Sequence, residues 1–254
     1  MTTSVRKCRE DSRRSEVQIL AGPVNLFKSK FLAKDKLPSS SPVKDDGLSS
    51  RRQGFKSPWE HLIYENKMTR TFILYSHANT NPNFDLGALF EMGRMDLVCR
   101  CVLASLWLSK HIRKDTQFIV CLTGGPKPPV SIRFDGAKLV GINPSERNVA
   151  EVIKKCLFKV RDKEWMSIQE GVFVSRKSFQ ELIKEARNIY VLDAHGTGIE
   201  KTKLDSPTFV LGDHAGLPPN EVAFALRKGQ KISLGNQIYL ASAVISVVNW
   251  VLDK

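Results

Sequence analysis

One rhythm in the last third of the chain narrows the choice of fold more than any other feature. Three short apolar runs, at 188–192 (NIYVL), 208–211 (TFVL) and 231–234 (KISL), each close on a glycine-bearing loop, at 193–198, 212–216 and 235–237. Short apolar runs bounded by turn formers read as buried strands. Helical spacing follows the second loop, over 219–228, and the third, over 238–252. Strands alternating with helices pair in parallel, because the chain needs a long crossover to start each new strand at the same end. The spacing therefore predicts an α/β domain whose parallel sheet is covered on both faces. In such sheets ligands sit outside the carboxyl ends of the strands. Three glycine loops gathered there predict one ligand pocket made largely of main chain.

The middle of the chain fits the same plan. Residues 71–76 (TFILYS) and 117–122 (QFIVCL) read as strands, and 97–108 has helical apolar spacing. A helix over 145–159 follows Pro144, and Ser178-Phe-Gln-Glu181 is a capping box that opens a helix to about Arg187. Residues 131–134 and 138–142 flank Asp135-Gly136, which predicts a tight hairpin.

Residues 1–67 differ. They hold 14 basic and 8 acidic residues and the stretch Pro38-Ser-Ser-Ser-Pro42, with no sustained apolar period. That is the composition of a disordered tail. It has no apolar core of a secretory signal, and Glu10, Asp11 and Glu16 do not suit a transit peptide. Two readings stand: a basic arm that tethers RNA, or sequence upstream of a true start at Met68. The chain thus divides into an extension, 1–67, and a domain, 68–254.

Charge and cysteines speak to partner and compartment. The 254 residues carry 39 Lys+Arg against 26 Asp+Glu, a net charge of +13. Such a surplus favours a polyanionic partner such as nucleic acid. Five cysteines, odd in number and scattered, form no secretory framework and suggest reduced thiols in the cytoplasm. The apolar run 238–252 is broken by Ser242, Ser246 and Asn249 and falls short of the ~20 residues a membrane span needs. It reads as a buried helix, and no membrane partner is expected.

Several chemistries drop out. His195-Gly-Thr-Gly198 lacks the third glycine of a dinucleotide fingerprint. There is no Walker loop and no nucleophile elbow. Cys99 and Cys101 sit two apart on a predicted helix, face different sides and find no completing pair, so they read as core residues and no metal is expected. Asp213-His214 reads as a loop-shaping pair, with half of an acid–base pair as the alternative.

The stretch Phe209-Val-Leu-Gly-Asp-His-Ala-Gly-Leu-Pro218, then Ile232-Ser-Leu-Gly235 and Tyr239-Leu-Ala-Ser242, resembles the cofactor region of the SPOUT methyltransferases, whose chain is tied in a C-terminal trefoil knot. His77, Phe84-Asp-Leu86 and above all Gly93-Arg-Met-Asp-Leu-Val-Cys-Arg-Cys101 look like the archaeal-type tRNA (pseudouridine-N1)-methyltransferases. The resemblance covers about Met68 to Asp253. It implies a homodimer that binds S-adenosyl-L-methionine in the knot and methylates N1 of pseudouridine 54 in the tRNA T-loop. Methylation of ribosomal RNA, or a non-catalytic RNA-binding relative, are the alternatives. The implied cofactor positions are Leu192, Gly212, Ile232, Ser233, Leu234, Gly235, Asn236, Gln237 and Ile238, with Ala243 and Val244 beyond them. The resemblance also implies a His-Cys pair where this chain has Ala243-Val244.

The residues themselves agree in kind. Adenine is flat and apolar with a polar edge, which suits main-chain groups flanked by Leu192, Leu211, Leu234 and Ile238. Glycine at Gly212 would let the ligand pass close to the main chain. The helix over 238–252 is apolar on nearly every face, which predicts a second partner and hence a homodimer. Asp96 and Arg100, four apart, share a helix face beside Arg94. With the resemblance, Arg94 and Arg100 are expected to bind the RNA and Asp96 to accept the proton that leaves N1.

Overall fold

The computed structural model describes residues 69–254, so the expectations on residues 1–67 and on Met68 lie outside the described residues. Eight strands form one sheet: β1 (Arg70–Asn79), β2 (Thr116–Gly124), β3 (Val130–Asp135), β4 (Met166–Gln169), β5 (Val172–Ser175), β6 (Ile189–Gly198), β7 (Thr208–Gly212) and β8 (Gly229–Ser233). The helices are α1 (Met95–Leu106), α2 (Glu146–Lys159), α3 (Phe179–Glu185), α4 (Pro219–Leu226) and α5 (Ala241–Leu252).

The strand order is β4-β5-β3-β2-β1-β7-β6-β8. The block β2-β1-β7-β6-β8 is parallel, as the sequence predicts, but β3, β5 and β4 add an antiparallel flank. The expectation of a parallel sheet is thus corrected to a mixed one. Only residues 125–129 join β2 to β3, far too few for a parallel crossover, so β3 returns beside β2 in the opposite sense. The predicted hairpin around Asp135-Gly136 does not form either. Residues 138–142 are not a strand, and the free edge of β3 is taken by β5. β4 and β5 make the hairpin instead, turning at Gly171, whose φ of +76° suits glycine.

Side chains alternate across the central strands. Phe72, Leu74, Phe118 and Val120 face one core, under α1, α2 and α5. Ile73, Ile119, Val191 and Val210 face the other, under α3 and α4. The helix starts are local chemistry: Ser145 Oγ accepts from Asn148 N–H at the start of α2, and Ser178 and Glu181 make the full capping box of α3.

The C-terminal helix is anchored at the amino-end edge of the sheet. Arg70, 6% exposed, donates to Asp115 Oδ2 (3.1 Å), Asn249 Oδ1 (3.1 Å) and Asp253 Oδ1 (3.0 Å). Asn249 in turn donates to the carbonyls of Ala104 and Ser105 on α1. Asn249, one of the three polar residues that interrupt the apolar run, therefore ties α5 to α1.

Candidate functional site

Two groups of residues gather at the carboxyl ends of the parallel strands, and the first is a cleft. Leu192, Asp193 and Ala194 of β6 face Leu234, Gly235, Gln237, Ile238 and Tyr239 after β8, with Val244 of α5 closing one end, around a volume of about 140 Å³. The cleft exists because β6 leaves its partner and returns: Leu192 and later Thr197 both pair with Ile232, so residues 193–196 loop out between them. At Gly196 a Cβ would stand about 2.5 Å from the Ile232 main chain, so only glycine allows that return. At Gly235 a Cβ would meet nothing within 4 Å, and it is the φ of +114° that calls for glycine. Ser233 Oγ lies 3.0 Å from the Ala194 carbonyl and accepts from Gly235 N–H, riveting the two rims. Lys231 Nζ bonds Asp193 Oδ2 at 2.7 Å and, with the His195 N–H, holds the Asp193 carboxyl below the usual range.

Leu192, Leu234, Gly235, Gln237, Ile238 and Val244 line this cleft. Ile232 is fully buried in the core behind it, and Ser233 stitches the rim. Asn236 is exposed beside the lining, and Ala243 is half-buried one residue before Val244. Gly212 does not line this cleft; a Cβ there would collide with the main chain of Gly216 and Leu217, so glycine is needed to close the turn after β7. Asp193, Ala194 and Tyr239 were missed by residue-level reading. The glycine loop at 193–198 was the signal for the first two. Tyr239 was hidden because the run 238–240 reads as helix, whereas α5 begins only at Ala241.

The second group surrounds the start of α1. Gly93 and Arg94 both adopt left-handed φ, +65° and +66°, and Arg94 caps the helix without a side-chain cap bond. A non-glycine residue held at positive φ marks a place where surroundings outweigh local preference. Here the Arg94 guanidinium forks onto the Asp96 carboxylate at 3.1 and 3.2 Å and lies 4.8 Å from the exposed Phe90 ring. Arg100 bonds the same carboxylate from one turn on and approaches Glu146 at 3.7 Å. Partial burial would raise the Asp96 pKa, but the bond and charge of Arg94, the charge of Arg100 and the Leu97 N–H outweigh it and hold the carboxyl below the usual range. The three residues singled out from sequence are thus one cluster. Asp96 spends both oxygens on guanidiniums, which makes it a weak proton acceptor while both are in place.

The Asp213 carboxylate, 1% exposed at the end of β7, accepts from the backbone N–H groups of His77 (2.6 Å) and Ala215 (2.9 Å), and the His77 ring Nδ1 lies 3.2 Å from each of its oxygens. It binds the end of β1 to that of β7, in keeping with its loop-shaping role. Gly93 packs against His77 and Ala78 at the end of β1, and β7 alone separates β1 from β6, so the arginine cluster and the cleft share one edge of the sheet.

The four cysteines among the described residues are free and buried. Burial raises all four thiols, Cys121 to about 11, so none is a ready nucleophile. Among the described residues no group of three His, Cys, Asp or Glu is placed to hold a metal ion, and no helix is long and apolar enough to cross a membrane.

Residues 69–254 match the family described as "Putative SAM-dependent RNA methyltransferase". The chain is 40% identical over 190 residues to a tRNA (pseudouridine(54)-N(1))-methyltransferase of Methanocella arvoryzae, covering 73% of this chain and 99% of that one. It is 36% identical over 199 residues to the protein of the same name from Pyrococcus abyssi, covering 73% and 98%. Among solved structures it is similar to Archaeoglobus fulgidus Nep1 bound to S-adenosylhomocysteine, with a TM-score of 0.54, 13% identity, and 74% of this chain and 98% of that one covered. At that identity the likeness concerns the fold alone.

Proposed function

The chain belongs to the family of the tRNA (pseudouridine(54)-N1)-methyltransferases, and we propose that it methylates N1 of pseudouridine 54 in tRNA with S-adenosyl-L-methionine held in the Leu192–Val244 cleft. The observation that carries this reading is the pairing, on one sheet edge, of a glycine-rimmed apolar cleft with an arginine–aspartate cluster.

The cleft suits that cofactor. Leu192, Leu234, Ile238 and Val244 offer apolar walls to a flat ring, and the main chain beside Gly235 is left open by the missing side chain. The Asp193 carboxylate, kept ionised by Lys231, is placed to accept from hydroxyl or ammonium groups. When bound, S-adenosyl-L-methionine supplies a methyl group already activated by its sulfonium. What remains for the chain is alignment of the incoming base, which is positioning work.

Arg94 and Arg100 face solvent on the same edge and are the groups to engage RNA phosphate or a base carbonyl. Asp96 fixes both guanidiniums before the RNA arrives. Transfer of Arg100, the more exposed of the two, to a phosphate would leave Asp96 Oδ2 with Arg94 as its one guanidinium partner, and a lone pair of that oxygen then takes the proton leaving N1. His77 and Asp213 hold the ends of β1 and β7 rigid beneath this group.

Three further features belong to the reading. Gly196 packed across Ile232, with the chain then leaving β8 toward α1 on one face of the sheet, supports a C-terminal trefoil knot. Ile238 (94% exposed), Tyr239 and Leu240 at the cleft, and Trp250 near the other end of α5, are exposed apolar side chains, which supports a homodimer through α5 and its leading loop. The place of action is the cytoplasm, where tRNA is available.

The test is mass spectrometry of nucleosides from T-arm RNA incubated with the protein and cofactor. 1-Methylpseudouridine should form when position 54 is pseudouridine and nothing should form when it is uridine. A folded protein that binds cofactor yet leaves the pseudouridine unmodified overturns the reading.

A further inference from the structure

A second, larger cavity opens on the other side of the arginine cluster, at the ends of β1 and β2. It measures about 310 Å³ and is walled by Thr80, Asn81, Lys127, Leu157, Phe158 and Arg176, among others. Nothing in the methyl-transfer chemistry above uses it. We propose that this groove seats one unpaired nucleotide of the tRNA beside the target, its base stacked on Phe158 and its phosphate held by Lys127 and Arg176. The inference rests on the tRNA reading and adds to it a binding site.

The groove is rigid before any ligand arrives. The buried Thr80 hydroxyl donates to the Gly124 carbonyl at 2.8 Å and accepts from the Lys127 N–H at 3.2 Å. Arg176 Nη1 donates to the Lys127 carbonyl at 2.5 Å, clamping the 125–129 loop from the far wall. Gly125, with φ of +78°, packs so closely on the Asn79 side chain that a Cβ would not fit. A preformed seat avoids the ordering cost that flexible loops incur on binding.

Its chemistry matches a nucleotide. Phe158 is 58% exposed although its neighbours Cys156 and Leu157 on α2 are buried, so a large aromatic is turned toward the groove. Leu157, Val130 and Val160 continue the apolar wall. Lys127 and Arg176 supply positive charge and no carboxylate lines the groove. Asn81 and Asn83 add amides able to read a base edge. An aromatic platform with basic groups at its rim is how proteins hold unstacked nucleotides, and a base inside a duplex cannot present its face. The location fits as well: the Asn79 N–H donates to the Met92 carbonyl at 3.0 Å, so the groove begins one residue from a contact with the segment leading to Arg94.

The test measures binding and methylation of a T-arm RNA hairpin by the full chain and by Phe158→Ala, Phe158→Trp and Lys127→Ala. Phe158→Ala should raise Kd and KM for the hairpin about tenfold, within the range that loss of one base–aromatic stack produces, and Phe158→Trp should restore both. Lys127→Ala should weaken binding and lower the salt slope by about one. Affinity for S-adenosylhomocysteine and melting temperature should not move. Unchanged KM in Phe158→Ala overturns the seat while leaving the proposed function standing. So does a loss confined to Lys127→Ala, which would mark a plain phosphate track, or a fall in melting temperature that accounts for the whole effect. A wild-type chain that neither binds nor methylates the hairpin overturns the function and the seat together.

Discussion

The cleft at β6 and β8 and the cluster at the head of α1 lie on one sheet edge but are made of different materials. The cleft is main chain and apolar side chain: Gly196 against Ile232, Gly235 in a glycine-only conformation, Leu192, Leu234 and Ile238 as walls. The cluster is charge: two guanidiniums on one carboxylate, with Glu146 behind. A site of the first kind fails when geometry fails and is indifferent to salt. A site of the second kind keeps its shape when a charge is removed and answers to ionic strength. A cofactor that must be held in one pose suits the first, and a polyanion that must be gathered and oriented suits the second.

The comparison breaks most sharply at Gly196. Gly196→Val drives side-chain atoms into the Ile232 main chain, so the loop over β8 cannot close. Destabilisation of about 3 kcal/mol or more is expected, the range of severe backbone clashes, with loss of cofactor binding. Calorimetric melting with a cofactor titration would check it, and a normal melting temperature would show that the cleft tolerates what the geometry forbids. Gly212→Val should also destabilise, through the clash with its own turn at Gly216 and Leu217.

The cluster should behave in the opposite way. Asp96→Asn keeps the shape and removes the charge that fixes Arg94 and Arg100. Turnover at saturating RNA should fall by about 10², the scale of a lost acid–base or positioning carboxylate, while cofactor affinity stays the same. Because the neighbouring arginines hold the Asp96 pKa down, the carboxylate is ionised throughout the neutral range, and turnover should show no Asp96 titration there. Wild-type turnover in the variant would remove Asp96 from the reaction. Salt separates the regions more gently. Raising it from 50 to 200 mM should cut RNA affinity at least about tenfold through counterion release and leave cofactor affinity within about twofold, because cleft contacts are short-range and mostly uncharged.

How much of this the sequence carried follows the same division. The strands of the parallel block announce themselves as apolar runs, because a strand buried on both faces has no polar alternation to hide it. The antiparallel flank was illegible. β4 (Met166–Gln169) and β5 (Val172–Ser175) are four residues each, and which edge β3 pairs with is decided by β5 arriving from forty residues away. Asp135-Gly136 carries a hairpin signature, yet Gly171 packs on Leu139 and residues 138–142 run as loop. Within the site, Arg94, Asp96 and Arg100 were legible from helical spacing and resemblance. The fork from Arg94 to Asp96 was not, because it depends on a positive φ that an arginine rarely adopts. Leu192, Leu234 and Ile238 could be named from the loops they flank. That Ile232 turns into the core, while Tyr239 turns into the cleft, depends on where α5 begins.

The smallest expected effect lies away from both regions and shows what a wholly local motif does. At the start of α3, Ser178 Oγ accepts from the Glu181 N–H and Glu181 Oε2 accepts from the Ser178 N–H, while Glu181 Oε1 takes Lys163 Nζ at 2.7 Å. The Lys163 bond first, then the bonds from Ser178, lower the Glu181 pKa to about 2. A folded-state pKa below the unfolded value means stability that is fully present above the unfolded pKa, near 4.3, and lost as pH falls toward 2. Glu181→Gln keeps the capping geometry and removes the charge, so at neutral pH it should cost no more than about 0.5–1 kcal/mol, the scale of a cap contact. That difference should shrink as pH drops through this window, while turnover and cofactor affinity at neutral pH stay at wild-type levels. Chemical denaturation at pH 7 and at pH 3 measures it. A pH-independent difference would mean the loss is one of packing, and a change in turnover would mean that α3 is coupled to the sheet edge through the core it shares with β1.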